Sequence, residues 1–338
     1  MARALIRGTG SYAPGEPIGN EELKRLAGVD FDTEKVVAKI GIKERHVARL
    51  RGLQESAADF AERAARTALA DAGVGAEEVG LFIVATDTPE YVSPATGILL
   101  QGRLQGGERE AEALDVGASC ASFVTALDLA ARRLATDPTL RYGLVAGVYN
   151  MPAHLRPGDA FGWSIFADGA GAVLLERVED GKAKGRGYLD GCFRADGTQW
   201  DYVGVYSGGA KKPVTRELLE RDEYGLELLQ RLPGDRNVKL WPPLVRRLLE
   251  KARFPQDRVA HYFFTQINRS VIEEVMGILG EPMAKTTTIM DRYGYTGSAC
   301  VPMALHEARK AGRVGKGDAV VLVASGAGFA VGADLITL

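Results

Sequence analysis

The sequence predicts an α/β fold built from two similar halves. Apolar segments typical of buried strands alternate with amphipathic helical segments along all 338 residues. Two glycine-rich turns, residues 166–173 and 324–331, each lead into an apolar strand, and such self-similarity indicates a duplicated unit. Coincidence in a chain with 41 glycines is the alternative. The length itself fits two ordinary domains or one large duplicated one.

Hydrophobic periodicity predicts the individual elements in chain order. Period-two or continuous apolar patterns predict strands at 1–10, 80–85, 141–146, 259–264 and 319–324. Helical spacing of apolar residues predicts helices at 55–73, 121–136, 244–253 and 301–311. Gly73 ends the first of these helices, because glycine readily adopts the left-handed conformation that closes a helix.

The chain is predicted to divide near its middle. We expect one half at 1–176, which contains the cysteine motif described below, and a second half at 177–338. Residues 181–242 are more polar and irregular than their surroundings. We expect them to form an excursion from the second half that contributes to a substrate entrance.

Composition excludes several classes of protein. Lys and Arg number 42 against 44 Asp and Glu, a formal charge of −2, which argues against nucleic acid or membrane surfaces as the main partner. No apolar run approaches the roughly 20 residues that span a bilayer, and the N-terminal segment lacks the apolar core of a signal peptide. The three cysteines form no CxxC pair, so no disulfide framework or metal site is indicated. We therefore expect a cytoplasmic protein.

The sharpest local feature is the stretch 115–123, which reads DVGASCASF. A short strand ends in small residues, Cys120 follows, and a helix begins at once. Unpaired amides and the positive end of the helix dipole at such a position favour a thiolate. The motif alone leaves two alternatives open: a nucleophile whose small neighbours admit a substrate carbonyl, or a small buried cysteine that fills the corner between strand and helix.

The chain resembles the thiolase superfamily, and within it β-ketoacyl carrier-protein synthase III. The matching stretches, in family order, are 41–46 (GIKERH), 85–94 (ATDTPEYVSP), 115–123, 167–172 (ADGAGA), 292–294 (RYG) and 326–332 (GAGFAVG). The resemblance implies two βαβαβαββ halves with mixed sheets, packed as a five-layered αβαβα sandwich, and a homodimer. It also implies that Cys120 carries an acyl group as a thioester. The backbone N–H groups of Cys120 and Ala327 would then form the oxyanion hole.

The sequence departs from this family at two catalytic positions. The family's histidine lies in a stretch matched by FFTQIN at 263–268, so Thr265 takes its place. The family's asparagine lies in a stretch matched by GYTG at 294–297, so Tyr295 takes its place. Both hydroxyls can donate a hydrogen bond, but neither is an efficient base at neutral pH. These residues favour acyl transfer over decarboxylative carbon–carbon bond formation; Tyr295 as an inert aromatic plug is the alternative.

Two further positions bear on the missing base and the acyl pocket. His154 lies in a loop that by resemblance is near the site entrance, so it is a candidate base for the acceptor, with a solvated loop histidine as the alternative. Ser93 matches the family position that crosses the dimer interface to cap the acyl pocket. It is therefore a candidate for admitting a larger or more polar acyl group, with a neutral interface residue as the alternative.

Substrate-binding candidates follow from the same resemblance. Lys35 replaces the family's tryptophan that stacks on the adenine of coenzyme A. With Lys39, Lys43 and Arg45 it forms a predicted basic edge for phosphates or an acidic carrier protein. Asn268 ends the stretch that contains the missing histidine and is a candidate contact for the substrate.

The function that the sequence predicts is that of an acyltransferase of the ketoacyl synthase III type. It would load an acyl group from a coenzyme A or carrier-protein phosphopantetheine thioester onto Cys120, with no permanently bound cofactor. The acyl group would pass to a thiol, hydroxyl or amine, in polyketide, specialised-metabolite or fatty-acid-like biosynthesis. The alternatives are a decarboxylative Claisen-condensing 3-oxoacyl synthase with a non-standard site, and a catalytically weak partner subunit of a heterodimeric synthase.

Overall fold

The structure is a computed structural model that describes residues 2–338. Its strands are β1 (Ala2–Tyr12), β2 (Ile18–Gly19), β3 (Glu44–Arg45), β4 (Val79–Ala85), β5 (Glu112–Val116), β6 (Tyr142–Tyr149), β7 (Gly169–Glu179), β8 (Gly187–Gln199), β9 (Val203–Val205), β10 (Leu226–Leu228), β11 (Val259–Phe264), β12 (Ala319–Gly326) and β13 (Gly328–Thr337). The two strands predicted at 259–264 and 319–324 are confirmed, the second with two further residues.

Helices occupy most of the segments between the long strands. They are α1 (Asn20–Ala27), α2 (Thr33–Lys35), α3 (Ala57–Ala72), α4 (Thr96–Gln105), α5 (Ser122–Thr136), α6 (Ala160–Ile165), α7 (Asp180–Ala183), α8 (Arg216–Glu220), α9 (Arg236–Lys251), α10 (Arg269–Leu279), α11 (Met290–Tyr293) and α12 (Cys300–Lys310). Short 3₁₀ turns and one π-helical turn, Val36–Ile40, connect them. Gly73 ends α3 in the left-handed conformation, as the sequence predicts.

Two mixed sheets repeat one strand order. In the first sheet the order is β1-β7-β6-β4-β5, and in the second it is β8-β13-β12-β11. In each sheet, the strand before the glycine-rich turn pairs antiparallel with the strand after it: β6 with β7, and β12 with β13. Strands β4 and β11 lie parallel to their neighbours β6 and β12. The place of β5 in the second sheet is taken by a single bridge between Tyr262 and Thr286. This correspondence supports the duplication that the two glycine-rich turns indicated.

The helices and sheets stack in five layers. Helices α3 and α4 cover the outer face of the first sheet, and α9 covers the outer face of the second with α10 packed against it. Helices α5 and α12 lie between the sheets and contact strands of both. The five-layered αβαβα sandwich is therefore confirmed.

Close packing of β1 against α3 shows how the sequence builds an outer layer. The buried face of α3 is mainly alanine, which lets the helix backbone approach the sheet. A Cβ atom at Gly8 or Gly10 would lie 2.1 Å from the carbonyl oxygen of Ala68 or Ala64. Glycine at both positions of β1 is thus required by the short distance between the two backbones.

The irregular excursion is shorter than the sequence indicated. Residues 187–199 form β8, an edge strand of the second sheet, and α9 begins at Arg236 rather than near Leu244. The mostly exposed and polar second half of β8 hid the strand, and the Pro242–Pro243 pair inside α9 hid the first part of the helix. The expected boundary after residue 176 falls inside β7 and stays a prediction. No helix among residues 2–338 has the length and apolar character needed to cross a membrane.

Candidate active site

Cys120 lies on the turn that joins β5 to α5. The preceding residue, Ser119, has a φ of 50°, a left-handed conformation that turns the chain sharply before the helix. Ser122 fixes this turn, since its Oγ accepts the Ala118 N–H at 2.8 Å and donates to the Ser119 carbonyl at 2.5 Å. The cysteine is therefore held at a rigid corner, half-buried, with its side chain in a cavity.

The turn between β12 and β13 packs directly against the cysteine. A Cβ atom at Gly326 would lie 2.9 Å from the backbone nitrogen of Cys120 and 2.5 Å from the Ala118 oxygen. Ala327, the next residue, lines the same cavity as Cys120. Within residues 2–338, neither the Cys120 nor the Ala327 N–H donates to a backbone acceptor. Cys120 and Ala327, whose N–H groups are predicted to form the oxyanion hole, thus line the same cavity.

The cavity in front of Cys120 has a volume of about 440 Å³. Its walls come from both halves of the chain and from the excursion. Apolar side chains form a large part of the lining: Ile40, Met151, Phe161, Ile165, Phe166, Val203, Val205, Leu226, Leu232, Pro233, Ile267 and Val271. A space of this size and character suits an acyl chain with part of a pantetheine arm. Residues of the excursion line part of this cavity, while its role as a substrate entrance stays a prediction.

Burial and a nearby carboxylate hold the Cys120 thiol in its protonated form. Together these effects raise its pKa to about 12, with burial the larger cause and the charge of Asp87 the second. The expectation that the helix N-terminus yields a ready thiolate is therefore wrong. The helix begins two residues after the cysteine, and the low-dielectric surroundings outweigh its dipole. A base must accept the thiol proton when the sulfur attacks.

Asp87 is the carboxylate that faces this thiol. Its Oδ2 accepts the Ser119 hydroxyl at 2.9 Å, and its buried Oδ1 has no hydrogen-bond partner in the described chain. Burial raises the pKa of Asp87 above its usual value, and the Ser119 bond counteracts part of that rise. The Ser119 hydroxyl also acts on the neighbouring thiol, whose pKa it lowers in part against burial and Asp87. The hydrogen-bonded pair Asp87–Ser119 and the adjacent Cys120 therefore lie together in the cavity wall.

Tyr295 and Tyr149 border the sulfur on another side. Both line the cavity, and their rings lie 6.2 Å apart between centroids, with Tyr295 also 5.8 Å from Phe166. The Tyr295 hydroxyl is close enough to the thiol to lower the pKa of Cys120 by hydrogen bonding. Burial raises the pKa of both tyrosines well above the usual value, so they remain neutral donors. Tyr295 thus lies where the sequence predicted, beside the nucleophile.

Thr265 is buried and does not line the cavity. Its Oγ1 accepts the Ser325 N–H at 3.0 Å, which ties β11 to the end of β12. The interaction that Thr265 makes is therefore structural. Asn268 does line the cavity, but its Oδ1 caps α10 by accepting the Ser270 N–H at 3.0 Å.

The remaining candidates lie outside the cavity. His154 ends a 3₁₀ turn, is not part of the lining, and has its pKa lowered by burial. Ser93, Lys35 and Lys39 are exposed, the two lysines on the turn that also supplies Ile40 to the cavity.

Arg45 does not belong to the predicted basic edge. It is fully buried and donates to the Ser164 carbonyl at 2.9 Å. The basic edge therefore consists of lysines alone.

Asp87 and Ser119 are functional candidates that the sequence reasoning missed. A signal existed for Asp87. Asp87 follows β4 and Cys120 follows β5, and these strands are parallel neighbours. The carboxyl ends of parallel strands meet at one edge of a sheet, where α/β proteins place their sites. An acidic residue two positions after a buried strand could have been paired with the cysteine on that ground.

Models of a known family match two segments of this chain, one in the middle and one at the C-terminal end. Residues 114–197 match 3-oxoacyl-[acyl-carrier-protein] synthase III, and residues 249–338 match the C-terminal part of the same enzyme. The first match includes the Cys120 turn, and the second includes β11, α12 and the turn at Ala327.

Whole-chain relatives agree with this result. A β-ketoacyl-[acyl-carrier-protein] synthase III of Rhodospirillum centenum is 35% identical, over 99% of this chain and 98% of that protein. A 3-oxopimeloyl-[acyl-carrier-protein] synthase of Rhodothermus marinus is 34% identical, over 99% and 93%. The crystal structure of 3-oxoacyl-[acyl-carrier-protein] synthase III from Aquifex aeolicus superposes with a TM-score of 0.84 at 29% identity, covering 99% of this chain and all of the other.

Proposed function

This chain belongs to the 3-oxoacyl-[acyl-carrier-protein] synthase III family, whose enzymes transfer acyl groups and condense them. From that premise we propose that it is an acyltransferase. It takes an acyl group from a pantetheine thioester onto Cys120 and passes it to a second nucleophile. The observation that carries this proposal is the hydrogen-bonded pair Asp87–Ser119 beside Cys120 in one cavity wall. Asp87 can act there as a base, in a cavity whose lining contains no histidine among residues 2–338.

The first half-reaction transfers the acyl group to the enzyme. The Cys120 sulfur attacks the thioester carbonyl while its proton passes to the Ser119 oxygen and the Ser119 proton passes to Asp87. The N–H groups of Cys120 and Ala327 stabilise the oxyanion, which is typically worth about 3–4 kcal/mol for each donor. The carbon–sulfur bond of the donor then breaks. The departing thiolate takes the proton from Asp87, and acyl-Cys120 remains.

The second half-reaction regenerates the enzyme. An acceptor thiol, hydroxyl or amine enters the cavity and attacks the acyl-Cys120 carbonyl while Asp87 takes the acceptor's proton. The sulfur of Cys120 leaves and is reprotonated from Asp87. A raised carboxyl pKa suits this exchange, because a base works best when its pKa lies near the operating pH.

The residues beside the sulfur argue against decarboxylative condensation. Loss of carbon dioxide from a malonyl thioester develops an enolate, which needs preorganised donors. Thr265 does not line the cavity, so its hydroxyl has no access to an enolate formed there. Tyr295 fills space beside the thiol and offers one hydroxyl, which the thiol already shares.

The donor we propose is an acyl group on coenzyme A or on a carrier-protein pantetheine. The names of the curated relatives include an acyl carrier protein, and the exposed Lys35 and Lys39 lie on the turn that supplies Ile40 to the cavity. Positive charge there fits the phosphates of either donor. A role in polyketide, specialised-metabolite or fatty-acid-like biosynthesis and a cytoplasmic location belong to the same proposal.

Two copies of the chain are proposed to form the active enzyme. Strand β5 is an edge strand of the first sheet, and an open edge invites pairing with another chain. Tyr91 and Val92, on the loop that carries Ser93, are 56% and 92% exposed in the single chain. Light scattering should give twice the chain's mass of 36.2 kDa; a mass equal to one chain would contradict the dimer.

Intact-protein mass spectrometry tests the acyltransferase. Mixing with a panel of acyl-coenzyme A donors should add one acyl mass, and the Cys120→Ala variant should show none. Asp87→Asn keeps an acceptor for the Ser119 hydroxyl but removes the base, so acylation should slow by about 10²–10⁴-fold. Ser119→Ala should slow it as well. An unchanged rate in Asp87→Asn would refute the proposed base, and absence of any adduct would favour the non-catalytic partner subunit.

A second measurement separates transfer from condensation. Release of labelled carbon dioxide from malonyl-coenzyme A or malonyl-carrier protein, with acyl-Cys120 preformed, should stay at background. Transfer of the acyl group to an added thiol acceptor should proceed in the same sample. Carbon dioxide release that matches product formation would instead establish a condensing enzyme.

A further inference from the structure

We propose that Arg236 binds a carboxylate of the substrate, so that the enzyme prefers a substrate with a second, free carboxyl group. This proposal names the substrate class of the acyltransferase above and rests on it. Arg236 and Asp87 are the charged side chains of the cavity lining within residues 2–338. Asp87 has a role in moving protons, whereas the guanidinium has none in either half-reaction.

The free nitrogens of Arg236 form one edge of its guanidinium. Nε and Nη2 are buried and have no hydrogen-bond partner in the described part of the chain. These two N–H groups point the same way, which is the fork that receives the two oxygens of a carboxylate. Burying two such donors without a hydrogen-bond acceptor is unfavourable in free energy. A ligand in the cavity with two acceptor oxygens would satisfy both.

The protein contacts the guanidinium by its face and leaves this edge without a hydrogen-bond partner. The Arg236 Cζ lies 4.7 Å from the ring centroid of Phe329, a distance at which an aromatic ring attracts a cation. The neighbouring acid, Asp235, is bound to Lys239 at 2.6 Å. Asp196 affects the pKa of Arg236 only through its charge and makes no hydrogen bond with it. No carboxylate of the described chain therefore occupies the edge.

A short series of contacts connects Arg236 to the nucleophile. Asn237, the next residue of α9, accepts the Ser325 hydroxyl at 2.8 Å. Ser325 precedes Gly326, whose Cα packs against the Cys120 amide. Phe329 follows on the same turn after Ala327. The guanidinium and the oxyanion position are thus fixed to one β12–β13 turn, which suits a short chain that ends in a carboxylate.

The test compares acyl-coenzyme A donors that differ only at the far end of the acyl group. Succinyl, glutaryl and adipyl donors are paired with valeryl, hexanoyl and heptanoyl donors of matched length, and Cys120 acylation is followed by intact mass. At least one dicarboxylic donor should react faster than its partner. Arg236→Gln should reduce that ratio by about 10- to 100-fold, the usual range for hydrogen bonds to a charged group. Arg247→Gln, on the exposed side of α9, removes the same charge and should leave the ratio unchanged.

A second arm examines the acceptor. Enzyme loaded with hexanoyl on Cys120 is mixed with 3-mercaptopropionate or with propanethiol, and deacylation is timed. A preference for the carboxylate in this arm, abolished by Arg236→Gln, would also support the proposal and would assign the carboxylate to the acceptor. No preference in either arm of the unmodified enzyme would overturn it. An equal fall in the acylation rate for both donors of each pair in Arg236→Gln would overturn it too. Such a result would mean that Arg236 contacts the coenzyme A part, which both donors share.

Failure of the acyltransferase itself would be recognised separately. If hexanoyl- and glutaryl-coenzyme A both leave Cys120 unmodified, the proposed function fails, while titration calorimetry of the two donors still measures binding. Tighter binding of the glutaryl donor, lost in Arg236→Gln, would then support the carboxylate site alone. Equal affinities would refute it.

Discussion

Two cysteines occupy corresponding ends of the two central helices, and only one of them is placed to react. Cys120 lies two residues before α5, and Cys300 is the first residue of α12. Both helices lie between the sheets, one from each half of the duplicated fold. By sequence, each cysteine faces the positive end of a helix, the feature that first singled out Cys120.

Cys120 and Cys300 differ in their surroundings. Cys300 is fully buried, its sulfur accepts the Gln266 N–H at 3.4 Å, and burial raises its pKa. Cys120 also has a raised pKa, but it borders a cavity with a carboxylate, a relaying hydroxyl and two free amides beside it. A helix start therefore does not make a nucleophile here. Burial outweighs the helix dipole at both cysteines. Cys120 is placed to react because it borders a cavity and has a base beside it.

The largest expected effect comes from exchanging the two cysteines in turn for alanine. Cys120→Ala should abolish the acyl adduct completely, since no other thiol borders the cavity within residues 2–338. Cys300→Ala should keep acylation but lower the free energy of unfolding by about 1–3 kcal/mol, because the buried Gln266 N–H loses its acceptor. Mass spectrometry and chemical denaturation measure the two outcomes. An adduct that depends on Cys300 would reverse the comparison.

The second effect concerns the turn that packs against Cys120. Gly326→Ala places a Cβ 2.5 Å from the Ala118 oxygen, so the turn must move and the Ala327 N–H moves with it. Acylation should slow by about 10²–10³-fold, the usual loss for one oxyanion donor. Gly277→Ala in α10 is the matched control, because no atom lies within 4 Å of the added Cβ. Equal rates in both variants would rule out the oxyanion role of this turn.

The third effect is a change in the reactivity of the thiol with pH. Below a pKa of about 12, alkylation of Cys120 by iodoacetamide should rise about tenfold for each pH unit, without a plateau up to pH 10. Asp87 raises this pKa by its negative charge, so Asp87→Asn should lower it. Alkylation at pH 8 should then become several-fold faster.

The same Asp87→Asn variant is expected to transfer acyl groups more slowly. Faster alkylation together with slower acylation distinguishes a base from a merely electrostatic neighbour. If the variant slowed both reactions in parallel, distortion of the Ser119 turn would be the better explanation.

The smallest expected effect on activity is at Thr265. Thr265→Val removes the acceptor of the buried Ser325 N–H and should lower the free energy of unfolding by about 1–3 kcal/mol. Acylation of Cys120 should change by less than about threefold, because Thr265 lies outside the cavity lining. Thr265→Ser keeps the oxygen and should recover most of the stability. A large loss of acylation in Thr265→Val, restored in Thr265→Ser, would make this hydroxyl catalytic after all.

Much of the fold could be predicted because local patterns and long-range packing agree. The buried strands β4, β11 and β12 consist almost entirely of apolar residues, so their position could be predicted within two residues. Strand β8 could not, since its second half is mostly exposed and polar. In the site, Cys120 and Tyr295 could be predicted from motifs. Ser119 and Arg236 could not, because only the folded chain shows which polar atoms lack partners.

The sequence by itself determined the α/β class, the duplication, the family and the cysteine at the start of α5, because each follows from periodicity or from a contiguous motif. The protonation of Cys120, the pairing of Asp87 with Ser119, the burial of Thr265 and the free edge of Arg236 were decided only by tertiary structure. Solvation and hydrogen bonding depend on which atoms surround a group. The four groups obtain those surroundings from segments that lie far apart along the chain.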